Sequence, residues 1–224
     1  FSGPVFFIYK ILQTIKTADF LNQNSEYKFV PIFWMATEDH DFEEIDHFKT
    51  EQNFYQIKGK SGGAVGRIVI EDVSFIDEFE KEFKDDVFGT QLILLMKKAY
   101  QKGKTLTEAM QTLVQELFSE FGLLMIDGDD TLLKNQMAAI FSSELKDEIT
   151  HQYSKENIQF ITNQYGKVQV NPREINLFYL SETRNRIVKN GDQYEVLDKN
   201  LKFSFEEITQ DFSKISPNAL LRPV

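Results

Sequence analysis

No cysteine occurs among the 224 residues, which excludes a disulfide framework, a thiolate nucleophile and thiolate-ligated zinc, and fits a reducing compartment. Any metal would have to rest on carboxylates and three histidines, and no metal is expected. Long apolar runs are missing too. Stretches such as Phe29 to Ala36 and Leu92 to Met96 fall far short of the about 20 residues that cross a bilayer, and no basic segment with an apolar core stands at the start. The expected location is the cytoplasm, with no membrane partner. Cations are the third scarcity: Lys plus Arg number 25 against 35 Asp plus Glu, a net charge of -10. A chain of that sign repels a phosphate backbone unless its cations cluster, so nucleic acid is not an expected partner.

What is present is ordinary globular material. Apolar residues make up 42% and charged ones 27%, enough to fold around a core. At about 150 residues per domain, the length suits one large domain or a domain with an insertion. The chain opens on Phe1 rather than Met and ends in the apolar Leu220-Leu221-Arg222-Pro223-Val224, which reads as an internal fragment of a longer protein.

Periodicity predicts the elements. Ile8, Ile11, Leu12, Ile15 and Ala18 recur at helical spacing after Ser2-Gly3-Pro4, where a proline suits a first helical turn. Lys28 to Met35 reads as a strand buried on both faces, ending abruptly in Thr37-Glu38-Asp39-His40-Asp41. A short helix is predicted over Phe42 to Phe48, strands over Phe54 to Ile57 and Gly66 to Ile70, and helices over Ser74 to Phe83 and Gly89 to Lys102. Thr105 with Glu108 forms a capping box for a helix that stops near Gly122. Leu123 to Ile126 is a second buried strand running into Asp127-Gly128-Asp129-Asp130, so helix, strand and acidic loop occur twice in that order. Such alternation argues for an α/β layer fold.

From Leu132 the apolar positions predict one long helix reaching about Asn163, a helical insertion over 128–164 between core segments 1–127 and 165–224. Val168 to Val170 and Ile175 to Leu180 read as strands. Asn190-Gly191 between Arg186 to Lys189 and Tyr194 to Leu197 signals an antiparallel hairpin, and Phe205 to Phe212 a short helix.

Ligands of an open parallel sheet bind beyond the carboxyl ends of its strands, the position that Glu38-Asp39-His40-Asp41 would occupy. His40 among carboxylates suits a general base, a hydrogen-bond donor or a weak metal ligand; the alternative is a solvated turn. His47 could join His40 on a metal only if the turn folds back. His151 reads as solvated. Ser2, Gly3 and Pro4, with Lys10 on the following helix, could bind an anion or simply start the helix. Arg173, Arg184, Arg186 and Arg222 fall in the last quarter, and a guanidinium matches a carboxylate or phosphate with two hydrogen bonds. Acidic residues from one loop and arginines from another would suit a zwitterionic or amino-sugar acid substrate, though surface ion pairs explain each arginine singly.

Four ordered blocks carry a resemblance: Phe1-Ser2-Gly3-Pro4 with Ile8-Tyr9-Lys10; Phe29 to Trp34 running into Glu38-Asp39-His40-Asp41-Phe42; Gln169-Val170-Asn171-Pro172-Arg173 followed by Ile175 to Leu180; and Ser216-Pro217-Asn218 through Val224. Together they resemble the bacillithiol biosynthesis cysteine-adding enzymes, the BshC family. The resemblance implies an α/β fold, a Rossmann-like mostly parallel sheet with helices on both faces, related to class I aminoacyl-tRNA synthetase and nucleotidyl transferase cores. It also implies a helical insertion, and in the longer family proteins a homodimer built by a C-terminal coiled coil.

The activity implied is that of a ligase joining the carboxyl of cysteine to the amino group of glucosaminyl-malate; the resemblance does not say how that carboxyl is activated, and ATP or another nucleotide is the candidate activator. Asp39 and His40 are then the catalytic candidates. Ser2, Gly3, Pro4, Lys10, Glu38, Asp41, Arg173, Asn176, Asn218 and Arg222 are the substrate-binding ones. A ligand-binding or assembly module of the same fold without the reaction, and a nucleotidyl transferase acting on another amino acid, are the competing readings.

Overall fold

The computed structural model describes residues 6–59, 62–168, 173–218 and 221. The chain divides into two compact units, Phe1–Gly128 and Asp129–Val224.

In the first unit α1 (Phe6–Asn24) buries Ile11, Ile15 and Ala18, the stripe that the helical spacing predicts. Strand β1 (Ile32–Met35) follows. It begins later than the apolar run because the Asn22 side-chain amide takes both backbone groups of Phe29, donating to its carbonyl at 2.9 Å and accepting its N–H at 2.8 Å. A backbone satisfied in this way needs no strand neighbour. Strands β2 (His47–Lys49) and β3 (Phe54–Gln56) form an antiparallel pair. The helix expected over Phe42 to Phe48 is reduced to a 3-10 turn at Phe42–Glu44, since His47 to Lys49 pair with β3 instead.

Helices α2 (Ser74–Phe83), α3 (Gly89–Ala99) and α4 (Leu106–Phe118) come next, then β4 (Leu124–Asp127). Both halves of the Thr105–Glu108 capping box are made at the start of α4. β1 and β4 run parallel in the register Ile32 to Leu124 through Met35 to Asp127. Met35 is fully buried against Ile11, Ile15, Met110, Val114 and Phe118, so α1 and α4 pack on this pair. Its opposite end is open, with Ile32 46% and Leu124 55% exposed, so the strand is not buried on both faces along its length.

The second unit opens with α5 (Thr131–Gln136), α6 (Ala138–Asp147) and α7 (Ile149–Tyr165). The single long helix predicted here is broken at Met137 and at Glu148, whose φ is 52°. The second break has a visible cause. Glu144, fully buried in α6, accepts from the Thr150 backbone N–H at 2.9 Å and from its hydroxyl at 2.8 Å, capping the start of α7 from the preceding helix.

Strands β5 (Leu177–Leu180), β6 (Arg184–Asn190), β7 (Gln193–Val196) and β8 (Leu201–Phe203) follow, then the short α8 (Phe205–Ile208) and β9 (Ile215–Pro217). They form one sheet in the order β8-β7-β6-β5-β9, antiparallel throughout. The predicted hairpin turns at Gly191, where φ is 61° and a residue without Cβ meets no strain. Phe141 and Leu145 of α6 pack on Leu177, Ile187, Tyr194 and Ile215 from one face of the sheet. The expected strand over Val168 to Val170 lies partly outside the described residues. Parallel pairing among the described strands is confined to β1 and β4, so the α/β expectation is met by a parallel pair and a separate antiparallel sheet rather than by a mostly parallel one.

Candidate active site at the carboxyl ends of the parallel pair

Because β1 and β4 are parallel and in register, the two acidic loops that follow them leave the sheet side by side. The Gly128 N–H donates to the Met35 carbonyl at 3.0 Å, and the Thr37 hydroxyl donates to Asp127 Oδ1. The loop after β1 is held by a third segment: the Val65 N–H donates to the Asp39 carbonyl at 2.7 Å and the Gly66 N–H to the Thr37 carbonyl at 2.9 Å. Those bonds curl Val65–Arg67 into a 3-10 turn where a strand over Gly66 to Ile70 is predicted; only Val69 makes a bridge, to Thr105. Gly66 is required by contact, since a Cβ there would lie 2.4 Å from Thr107 Oγ1 and 2.6 Å from Thr37 Cβ.

Glu38 is fully buried. Its carboxyl lies against Gly128, where an added Cβ would stand 2.2 Å from Glu38 Oε2 and 2.8 Å from the Trp34 indole nitrogen. Asp39 is half-buried and accepts the His40 backbone N–H on Oδ1 at 2.9 Å. His40 Nδ1 lies 3.1 Å from the Glu38 carbonyl oxygen. That oxygen can only accept, so Nδ1 is the donor of this hydrogen bond. Asp41 is exposed at the rim.

Within the first unit the structure therefore gathers Glu38, Asp39, His40 and Asp41 with Thr37, Asp127, Gly66 and Gly128, of which the last four are not among the sequence-derived candidates. The second occurrence of strand followed by acidic loop was their signal, but pairing in space was needed to read it. Lys10 is exposed on α1. Ser2, Gly3 and Pro4 lie outside the described residues. His47 is not aimed at a shared metal with His40: its Nδ1 is 2.6 Å from Asp46 Oδ1 and its ring stacks on Phe54 at 5.0 Å. No group of three or more His, Asp or Glu among the described residues is placed to hold a metal ion.

In the second unit Asn176 is buried, with every polar atom of its side chain engaged: Nδ2 donates to Glu144 Oε1 at 3.0 Å and to the Arg173 carbonyl at 2.7 Å, and Oδ1 accepts the Arg173 N–H at 3.0 Å. It ties the entry of β5 to α6 and is scaffold, not a ligand contact. Asn218 donates its backbone N–H to the Asn176 carbonyl at 2.8 Å. Arg173 is exposed, and partial desolvation and the neighbouring Arg186 hold its guanidinium below the usual arginine value. Arg222 lies outside the described residues. His151 is half-buried with Nδ1 enclosed, so it is not simply solvated. Lys134 is 2% exposed and paired with Asp129 at 2.6 Å, a buried ion pair the sequence reading missed.

Over residues 1–224 the chain matches the family described as "Bacillithiol biosynthesis BshC, N-terminal Rossmann-like domain". It is 37% identical to a Flavobacterium johnsoniae protein and 38% identical to one from Flavobacterium psychrophilum, in each case over all of this chain and 43% of the relative. A Natranaerobius thermophilus protein is 30% identical over all of the chain and 44% of the relative. All three carry the name "Putative cysteine ligase BshC". The chain thus spans less than half the length of these curated relatives. No helix among the described residues is long and apolar enough to cross a membrane.

Proposed function

The chain belongs to the BshC family of bacillithiol biosynthesis, and on that premise we propose that the whole protein joins the carboxyl of cysteine to the amino group of glucosaminyl-malate, with the carboxyl ends of β1 and β4 receiving the amine. The observation that carries this reading is that the register of β1 with β4 brings Glu38, Asp39, His40 and Asp41, which follow β1, to the same end of the parallel pair as Asp127, the last residue of β4. Carboxyl groups attract an ammonium and orient it, while an amine attacks only after losing its proton. His40 Nε2 is the proposed acceptor of that proton, with Asp39 holding the His40 backbone and the Glu38 carbonyl holding its Nδ1–H. The neutral amine then forms the C–N bond to the cysteine carbonyl carbon, and the group activating that carboxyl leaves with its electron pair.

ATP or another nucleotide is the candidate activator. At this end Glu38, Asp39, Asp41 and Asp127 are carboxyl groups, which repel a polyphosphate, and the Gly66 and Gly128 N–H groups are engaged by Thr37 and Met35. No described residue here is assigned to a nucleotide, and the chemistry derived is that of the amine.

The test is mass-spectrometric detection of bacillithiol made by the full-length protein from cysteine, glucosaminyl-malate and ATP, omitting each in turn. His40→Ala is expected to lower the rate by about 100-fold or more, the usual range for losing a general base, and Asp39→Asn, which keeps an acceptor for the His40 N–H but loses the charge, to lower it less, with far-UV circular dichroism unchanged in both. Undiminished product from both variants would return the cluster to a solvated turn.

A further inference from the structure

The antiparallel sheet has a second face, turned away from Phe141 and Leu145, and it carries a row of side chains of a different kind. Directly paired residues of an antiparallel ladder point to the same side. The registers Ser216 to Phe178 and Phe178 to Arg186 therefore set these three side by side across β9, β5 and β6. Arg184, two residues before Arg186 on the same strand, shares that side, and its guanidinium carbon stands 4.9 Å from the centre of the Phe178 ring. Arg173 reaches the same ring from the segment before β5, at 5.9 Å. Three of the five arginines in the chain thus surround one phenylalanine.

Such a cluster is unfavourable by itself. Partial desolvation and, after it, the charge of Arg186 lower the affinity of Arg173 for its proton. Yet in a chain with 35 acidic residues no carboxylate among the described residues forms an ion pair with either. The aromatic face offsets part of the repulsion, since the ring quadrupole attracts a cation lying over it. A planar guanidinium suits two-point recognition of an oxyanion. Ser216 closes the row on the β9 side: it is 1% exposed, and its hydroxyl has no hydrogen-bond partner among the described residues. A buried hydroxyl without an acceptor is unfavourable, and Ser216 ends the row at whose other end stands the exposed Arg186.

We propose that Arg173, Arg184 and Arg186, arrayed around Phe178, form a binding site for a small ligand bearing two or more negative charges on oxygen, a dicarboxylate or a phosphate. The inference rests on the reading of the protein as a ligase only in what it takes the ligand to be, the dicarboxylate portion of the amino-sugar substrate. The anion site itself stands on the arginines.

Isothermal titration of the full-length protein with malate and, separately, with inorganic phosphate tests it. Arg173→Lys keeps the charge but loses the fork and is expected to weaken binding about tenfold; Arg186→Gln should weaken it at least as much. Lys202→Gln, which removes a cation of the same sheet that already pairs with Glu195, should leave affinity unchanged. Tighter malate binding identifies the dicarboxylate, and tighter phosphate binding a phosphorylated ligand. No binding of either anion, equal affinity in the arginine variants, or an equal loss in Lys202→Gln, the mark of a diffuse field, would each overturn the proposal. Thermal melting separates lost binding from lost folding. His40→Ala is expected to bind the anion normally. A protein that forms product but binds neither anion would sink this site and leave the reaction standing, and one that binds malate through the arginines but forms no product would do the reverse.

Discussion

Residues 1–128 hold 13 basic and 21 acidic side chains, whereas residues 129–224 hold 12 and 14 and include four of the five arginines. The first unit makes its chemical end by bringing backbone close to backbone. Gly66 and Gly128 stand where any Cβ would strike Thr37, Thr107, Glu38 or Trp34, and two parallel strands deliver their loops together. The second unit makes its basic face from long side chains standing on an antiparallel ladder, and spends its buried polar groups on ties: Glu144 to Asn176 and Thr150, Lys134 to Asp129. One unit is therefore sensitive to added atoms and the other to removed ones.

The largest effect expected from this contrast is in the second unit. The Glu144 carboxyl accepts four hydrogen bonds, two from the Asn176 backbone N–H and side-chain amide and two from Thr150. Glu144→Ala strands two backbone N–H groups at about 1 to 3 kcal/mol each, so a loss of about 3 to 5 kcal/mol is expected in urea denaturation. A loss below about 1 kcal/mol would show that water replaces the carboxyl and that the tie is not what breaks α6 from α7.

A smaller loss is expected in the first unit from an added methyl. Gly128→Ala forces the buried Glu38 carboxyl to move, at about 1 to 3 kcal/mol for an overpacked site. The displacement should also lower bacillithiol formation by the full-length protein more than Asp41→Asn does at the exposed rim. Wild-type stability and rate in Gly128→Ala would mean that the loops after β1 and β4 are not pressed together.

The smallest effect concerns pH and exposed groups. Asp72 lies two residues before α2: the Ser74 backbone N–H, then Lys58 and the Ser74 hydroxyl, hold its carboxyl near a pKa of about 2, below the ordinary 3.8. The folded state thus binds this proton less readily than the unfolded one. Its contribution to stability is present above about pH 4 and is lost as pH falls towards 2. Carbon-13 titration of the Asp72 carboxyl should give a midpoint near 2, and Asp72→Asn should remove that portion of the acid sensitivity. An ordinary midpoint would mean that the bonds to Ser74 and Lys58 do not hold the carboxylate.

Several elements were legible from spacing alone. Ser74 to Phe83, the Thr105–Glu108 box and the hairpin at Gly191 depend on neighbours within a few residues, and the structure reproduces them. The elements that differ were decided at longer range. Phe29 is excluded from β1 by the Asn22 amide, the helix after Ala138 is interrupted by Glu144 reaching forward to Thr150, and Gly66 is bent by its bond to Thr37. The candidate site divides in the same way. Glu38 to Asp41 stood out as a contiguous charged turn after a strand, whereas Asp127 and Gly128 acquire meaning only through the register of β1 with β4. Asn176 was placed with the substrate contacts because of the block it sits in, and only its buried partners reveal that it is scaffold.

By itself the sequence determined the alternation of helix, strand and acidic loop, the exclusion of thiol chemistry, and the likeness to the BshC family, because composition, periodicity and ordered motifs are properties of the chain. The tertiary structure alone decided that the two acidic loops meet, that the later strands pair antiparallel, and that Arg173 and Arg184 share one aromatic ring with Arg186 paired beside it. Strand register is set by which faces can be buried together, a cooperative choice that no local stretch of residues encodes.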